Sequence, residues 1–444
     1  MKNIRTILIL FIVFPFFLFS QNKIKATFSP AKDFKWAILY KNTPTSNIYG
    51  GQGKIEDGKV VFNLGEKAPP GIYSLVYAIP QYEFNFDVIY DGKENIELTF
   101  SVEKGLEFQT SEVNKILSSY HHDMNLINTQ IGEFYAKKKT NSSELMTFFN
   151  SQKEIQNLYE KESKGTLAYE FIVADRPYIP STFEKYTDYK NHIKNSLFTN
   201  IDFNNTVLQS SRFLIDRTIS YILGSQKEGL SKNDTYNKNI DKIYSYLVNS
   251  EVNFKKMFLS DLWDKLVLYK FVDNANYLAE KYLIPFAAEQ KDQQLADKLV
   301  QFRNLSIGNT APDFTWETTE NGTTKTHRLS ELAVAENYIL VFWSSTCSHC
   351  LKQIPQLQQF IKPLNSTKYK VVAIGLEDEP TNWQKETKKY PEFLNIIKLK
   401  KWDSKVVLDY GLNSTPTYFV LDKDKKFLAK PENLEELKTY LEEN

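Results

Sequence analysis

Residues 339–343 read Ile-Leu-Val-Phe-Trp, an apolar run with no polar interruption. A strand covered on one face alternates apolar and polar side chains, whereas a strand covered on both faces has no reason to. Four of these five residues are β-branched or aromatic, the types that pack well on a pleated surface. The run therefore predicts an inner strand of a sheet buried on both sides. Two similar runs come later, Lys370–Gly375 and Tyr418–Leu421, and the second leads into the turn Asp422-Lys423-Asp424 and then Lys426-Phe427-Leu428. Helically spaced stretches separate them, and Leu434–Leu441 closes the chain. Strands alternating with helices define an α/β sheet. From about Ile307 onward the chain is expected to form such a domain.

The residues after the first strand are Ser344-Ser345-Thr346-Cys347-Ser348-His349-Cys350, and they hold both cysteines of the 444-residue chain. Leu351-Lys352-Gln353-Ile354 reads as a helix, with Pro355 kinking it one turn in. Cys347 is thus expected at a helix N-terminus, where the helix dipole and unpaired N–H groups favour negative charge. A thiolate there is the nucleophile of disulfide exchange, and a second thiol three residues on resolves the mixed disulfide. Cys347 is read as attacking, Cys350 as resolving, and His349 as further support for the thiolate when protonated. A zinc site needs about four ligands, and His121, His122, His192 and His327 provide no second ligand pair beside the motif. A disulfide across so short a loop would stabilise little. Redox exchange is the reading retained, with no metal and no cofactor expected.

Upstream, residues 21–105 carry short β-rich runs separated by turns. Trp36–Tyr40, Val60–Phe62, Ile72–Tyr77, the alternating Phe84, Phe86, Val88 and Tyr90, and then Ile96, Leu98 and Phe100 predict a β-sandwich. In 106–305 glycine and proline thin out, and stripes such as Val113, Leu117, Tyr120, Met124 and Leu262, Leu266, Tyr269, Val272 predict antiparallel helices. Breaks are expected near Asp175–Ser181 and Gly224–Asn233. The chain is therefore expected to be multidomain: a β-sandwich, an α-helical middle domain, and an α/β domain over 306–444.

A formal net charge of +1 offers no basic face for nucleic acid. Lys2 and Arg5 precede the apolar run Ile7–Phe19, which ends at Ser20-Gln21-Asn22. This pattern predicts a secretory leader over residues 1–20, cut after Ser20. The run is too short to span about 30 Å of hydrocarbon and contains Pro15. Export to the periplasm is expected, the alternative being an uncleaved anchor that leaves the protein facing the periplasm.

Residues 307–444 resemble the thioredoxin fold, and more closely the TlpA/ResA-like disulfide reductases of bacterial envelopes within the wider AhpC/TSA and redoxin group. The resemblance rests on Ile307-Gly308-Asn309-Thr310-Ala311-Pro312-Asp313-Phe314, on Phe342-Trp343 ahead of the Cys347/Cys350 pair, on Pro355, and on Thr415-Pro416-Thr417-Tyr418-Phe419, which looks like the family's cis-proline loop. It implies that Pro416 sits beside Cys347, that the Thr415 backbone holds an extended substrate, and that Trp343 belongs to the same binding surface. It also implies protein substrates with cysteines or disulfides, and a membrane electron donor of the DsbD/CcdA kind. The chain departs from the family at four places. Val341 stands where thioredoxin keeps a buried Asp, so Glu377 is the candidate proton acceptor. Thr346 replaces a Trp, Gln353 replaces a Glu, and the inner dipeptide Ser348-His349 is similar to the His-bearing motifs of oxidising relatives. A peroxiredoxin is excluded because Ser344 and Leu340 stand where that family needs Thr and Pro.

The expected function is an exported thiol–disulfide oxidoreductase that reduces envelope proteins. A disulfide oxidase or isomerase is one alternative, and a binding or scaffold protein with a vestigial thioredoxin module is another.

Overall fold

The computed structural model describes residues 22–444, apart from 66–67, 82, 225–228, 321 and 365–366, and the expected leader over 1–20 lies outside them. The described chain folds as two compact units, one reaching Lys265 and one starting at Leu266.

The first unit begins with eight strands: β1 (Lys23–Ser29), β2 (Trp36–Thr43), β3 (Ser46–Lys54), β4 (Lys59–Asn63), β5 (Gly71–Val76), β6 (Asn85–Tyr90), β7 (Ile96–Ser101) and β8 (Gly105–Phe108). They form two four-stranded sheets, in the orders β4-β1-β7-β8 and β3-β2-β5-β6. Both sheets feed one core: Ile24, Ala26 and Phe28 of β1 meet Ala37 and Leu39 of β2, Tyr73 and Leu75 of β5, and Val88 and Tyr90 of β6. Side chains on a strand alternate faces, so every second residue of β2, β5 and β6 points away from this core. β3 does not read as a strand in the sequence because it carries Gly50, Gly51 and Gly53. Close packing explains the last of these, since a Cβ at Gly53 would lie 2.5 Å from Val60 Cγ2.

Helices then span Glu112–Ala136, Ser142–Ser163, Ala168–Ala174, Tyr186–Ser196, Thr206–Gln209, Phe213–Leu223, Lys232–Leu247 and Val252–Leu268. The expected break at 175–181 falls between helices; at the other, one helix ends at Leu223 and the next already begins at Lys232, inside the expected 224–233. Asn141 caps the second helix by accepting from the N–H groups of Ser143 and Glu144. Of the stripe Val113, Leu117, Tyr120 and Met124, Leu117 is half-buried and the other three are buried. The Leu262–Val272 stripe, by contrast, crosses a break. That helix stops at Leu268, Lys270 adopts a φ of 63°, and Tyr269 is exposed.

The second unit opens with helices ending in Gln293–Asn304. These helices are tied to the α/β sheet, because Leu305 enters its core and Asn276 Nδ2 donates to Ser306 Oγ at 2.9 Å. A hairpin of β9 (Thr315–Glu320) and β10 (Thr323–Arg328) precedes the main sheet. That sheet comprises β11 (Asn337–Trp343), β12 (Tyr369–Glu377), β13 (Leu394–Leu399), β14 (Thr417–Asp422) and β15 (Phe427–Ala429). Its order is β13-β12-β11-β14-β15, with β13, β12 and β11 parallel and the last two antiparallel. The apolar run of β11 is buried on both faces: Tyr338, Leu340 and Phe342 enter one core, and Ile339, Val341 and Trp343 enter the other. The architecture is thus a β-rich start, a helical middle and a thioredoxin-like α/β end. Among the described residues no helix is long and apolar enough to cross a membrane.

Candidate active site

The parallel strands β11, β12 and β13 end on one edge of the sheet, at Trp343, Glu377 and Leu399. In open α/β sheets ligands bind outside the carboxyl ends of the strands. The chain leaves β11 there, runs through Ser344–Thr346, and enters a helix over Ser348–Ile361 that contains Pro355. Cys347 is the N-cap of that helix, with φ −90° and ψ 118°.

The two sulfurs occupy different surroundings. Cys347 is half-buried, and its Sγ accepts the Cys350 backbone N–H at 3.3 Å. Its Sγ also lies 3.4 Å from the Thr415 carbonyl oxygen. Cys350 is wholly buried, packed with Val341, Ile354 and Tyr418. Burial pushes the Cys347 thiol up. Hydrogen bonds from the Cys350 side chain and N–H, from Thr415 and from the His349 N–H outweigh it, so the thiol sits below its ordinary value. Cys350 goes the other way: burial first, then the hydrogen bond to Cys347, push it up to about 12. One sulfur is prepared to ionise and the other to keep its proton.

This difference predicts selective alkylation. With iodoacetamide, Cys347 should react and Cys350 should not, and the Cys347 rate should reach half its maximum below the pH of about 8.5 typical of a free thiol. A peptide map with the label on Cys350 at neutral pH would contradict this assignment. The same shifts set the pH dependence of stability. The lowered Cys347 pKa adds stability above the unfolded thiol value, and this is lost as pH falls through the folded value. The raised Cys350 pKa costs stability as pH rises from the unfolded value to about 12, because the unfolded chain then releases the proton more readily.

The structure brings most of the expected residues together. Thr415–Pro416 is a cis peptide bond, and the Thr415 carbonyl faces Cys347. His349 is exposed beside the pair. Glu377 is buried at the end of β12, but its carboxylate accepts from the Ser345 N–H and from Ser344 Oγ at 3.3 Å, and neither cysteine is among its hydrogen-bond partners. It therefore anchors the loop that delivers Cys347 to the helix. Trp343 corrects an expectation. It is fully buried, edge-on to Tyr390 at 6.3 Å, so it supports the site from within the core and offers no face to a substrate.

Two further contacts shape the site. Tyr418 pairs with Val341 across β14 and β11, and its hydroxyl donates to Gln353 Oε1 at 2.9 Å. Burial, and then the neighbouring Cys350, raise its pKa. A tyrosine, and the amide that it hydrogen-bonds, thus stand beside the buried sulfur. The signal for this in the sequence is the position of Gln353, one turn after Cys350. The second contact is Lys401 Nζ, 3.4 Å from Thr346 Oγ1, for which the sequence carries no signal. Among the described residues no group of three or more His, Cys, Asp or Glu side chains is placed to hold a metal ion.

The fold and the dithiol at its carboxyl edge define a thioredoxin-like domain. Residues 307–429 match the AhpC/TSA family, and this part of the chain is a domain of that family. Sporulation thiol-disulfide oxidoreductase A of Bacillus subtilis (strain 168) is 31% identical over 116 residues, which cover 24% of this chain and 66% of that protein. The chain thus spans just under two thirds of that relative. Thiol-disulfide oxidoreductase ResA of Bacillus cereus is 24% identical over 141 residues, covering 31% of this chain and 78% of the relative. Among solved structures, a thioredoxin-like protein from Bacteroides caccae ATCC 43185 is 22% identical with a TM-score of 0.32, covering 60% of this chain and 97% of that one.

Proposed function

We propose that the chain is an exported thiol–disulfide oxidoreductase that reduces disulfides in envelope proteins, working in the periplasm after loss of a leader at about Ser20. The observation that carries this reading is the asymmetry of the pair: Cys347 Sγ caps a helix and accepts an N–H at 3.3 Å, while Cys350 is enclosed behind it. The Cys347 thiolate attacks a client disulfide, forming a mixed disulfide and releasing one client thiolate, which takes up a proton. Cys350 then gives up its proton and attacks Cys347 Sγ. The second client thiol leaves, and the Cys347–Cys350 disulfide remains. Two electrons pass to the client, and a membrane thiol donor of the DsbD/CcdA kind returns them.

On this reading Thr415 and Pro416 hold the client backbone beside Cys347. His349 lends its N–H to the thiolate and, when protonated, a nearby positive charge. Glu377 is retained as a proton acceptor only through a water, given where its hydrogen bonds go. We take the chain as a leader (1–20), a β-rich domain read as a sandwich (21–105), a helical domain (106–305) and the redox domain (306–444). The first three deliver and position the fourth.

Cys350→Ser removes the resolving step and leaves the attack intact. Cells expressing this variant should accumulate the protein in mixed disulfides that dithiothreitol releases, and Cys347→Ser should abolish them. If the Cys350→Ser protein stays free of adducts, exchange with protein clients is wrong.

A further inference from the structure

β2, β5 and β6 turn one face to the core of the two sheets, and the opposite face carries an unusual set of residues. Tyr40 and Asn42 of β2, Ser74 of β5 and Asn85 of β6 line a cavity of about 440 Å³ together with Arg212, Asp261, Asp264 and Lys265. That volume falls in the range of about 300–1,000 Å³ typical of small-molecule sites. The floor is a polar row. Asn42 Nδ2 donates to Ser74 Oγ at 2.7 Å, Ser74 Oγ donates to Asp87 Oδ1, and the Arg212 N–H donates to Asp87 Oδ2 at 2.9 Å. Arg212 is held in turn by Asp216 at 3.2 Å and by the Asn85 side chain at 3.1 Å.

Two groups are left over. Asn42 Oδ1 is buried and accepts no hydrogen bond among the described residues. Lys265 is only 9% exposed, its ammonium donates no hydrogen bond among the described residues, and Asp216 Oδ1 stands 3.9 Å away. Burying a charge without hydrogen bonds is costly, and a buried acceptor with no donor adds to that cost. Burial accordingly lowers the pKa of this ammonium. An acceptor with no donor among the described residues and a cation with only the distant Asp216 for a partner line one cavity, so a single molecule bearing both complements would complete them.

Charge narrows the class. A simple anion would satisfy Lys265 but face Asp261 and Asp264. A simple cation would suit those carboxylates but face Lys265 and Arg212. A neutral polyol would supply hydrogen bonds but bring no carboxylate to Lys265, whose ion partner Asp216 stands at 3.9 Å. We propose that this cavity binds a small zwitterion of the free α-amino-acid type, its carboxylate on Lys265 and its ammonium toward Asn42 Oδ1 and Asp261. The site lies wholly in the first unit and is independent of the dithiol.

The test is calorimetric titration of the full chain with the standard L-α-amino acids one by one, alongside N-acetylated and C-amidated forms of whichever binds, and glucose. At least one amino acid should bind and raise the melting temperature. Blocking its amine or its carboxylate should weaken binding by about tenfold or more, and so should Lys265→Met in the protein. The Cys347 alkylation rate should stay unchanged in that variant, and far-UV circular dichroism reports whether the variant is folded. The proposal fails if no amino acid binds, if the blocked forms bind as well as the parent, or if glucose binds and the amino acids do not. The blocked ligands decide the matter on the unaltered chain even if Lys265→Met does not fold.

Discussion

Cys347→Ser is expected to reduce the rate of disulfide reduction to that of the reductant alone. The reason is chemical and positional together. Exchange requires a sulfur anion, and a serine hydroxyl at the same helix cap remains protonated at neutral pH. The remaining thiol is not placed to take over, because Cys350 is wholly enclosed and burial, the main cause of its raised pKa, persists in the variant. The fold should survive, since a serine oxygen at an N-cap accepts backbone N–H groups as well as or better than sulfur. The assay is turnover of a protein disulfide with dithiothreitol as electron source, with far-UV circular dichroism as the control for folding. Substantial activity in a folded Cys347→Ser protein would mean that the attacking residue has been misassigned.

The second large effect concerns Trp343. Its side chain fills the core directly beneath the cysteine loop, so Trp343→Ala should destabilise the C-terminal unit by about 3–5 kcal/mol, the usual cost of emptying such a volume. Trp343→Phe should cost much less. Among the described residues the buried indole N–H has no partner, and phenylalanine removes that donor along with part of the ring. Denaturant unfolding monitored through the C-terminal unit measures both. If Trp343→Phe leaves stability nearly intact but raises the KM for a protein client severalfold, the residue touches substrate and the burial argument is wrong.

Trp343 also shows how far the sequence can be read. The inner strand at 339–343 and the cysteine at a helix start are local patterns, and local patterns survive folding. The hairpin of β9 and β10 is illegible because residues such as Thr323-Thr324-Lys325 are exposed and polar, with no apolar period to read. β3 is hidden by its glycines, one of which its neighbour Val60 requires. Trp343 misleads for a different reason: its closeness to the motif in sequence suggests a binding face, yet its parity with Ile339 and Val341 already puts it on an inner one. Glu377 is legible as a residue near the site, but its hydrogen bonds to Ser344 and Ser345 do not support a direct role. The cavity of the first unit is out of reach. Asn42, Ser74 and Asp87 come together only through strand register, and register is a long-range property.

The enclosed Cys350 has a consequence in time. On the proposed mechanism the first exchange step begins from a sulfur already prepared to ionise, which favours rapid capture of a client. The second begins only when a buried proton leaves, so release is slow. On that mechanism a captured client waits, covalently held, until the Cys350 proton leaves. During this dwell another thiol of the same client competes with Cys350 to finish the reaction. If Cys350 wins, the client departs reduced. If the client's own thiol wins, it departs with its disulfide moved elsewhere. The ratio of those two outcomes separates a reductase from an isomerase, and on this mechanism it is set in part by the packing that encloses Cys350.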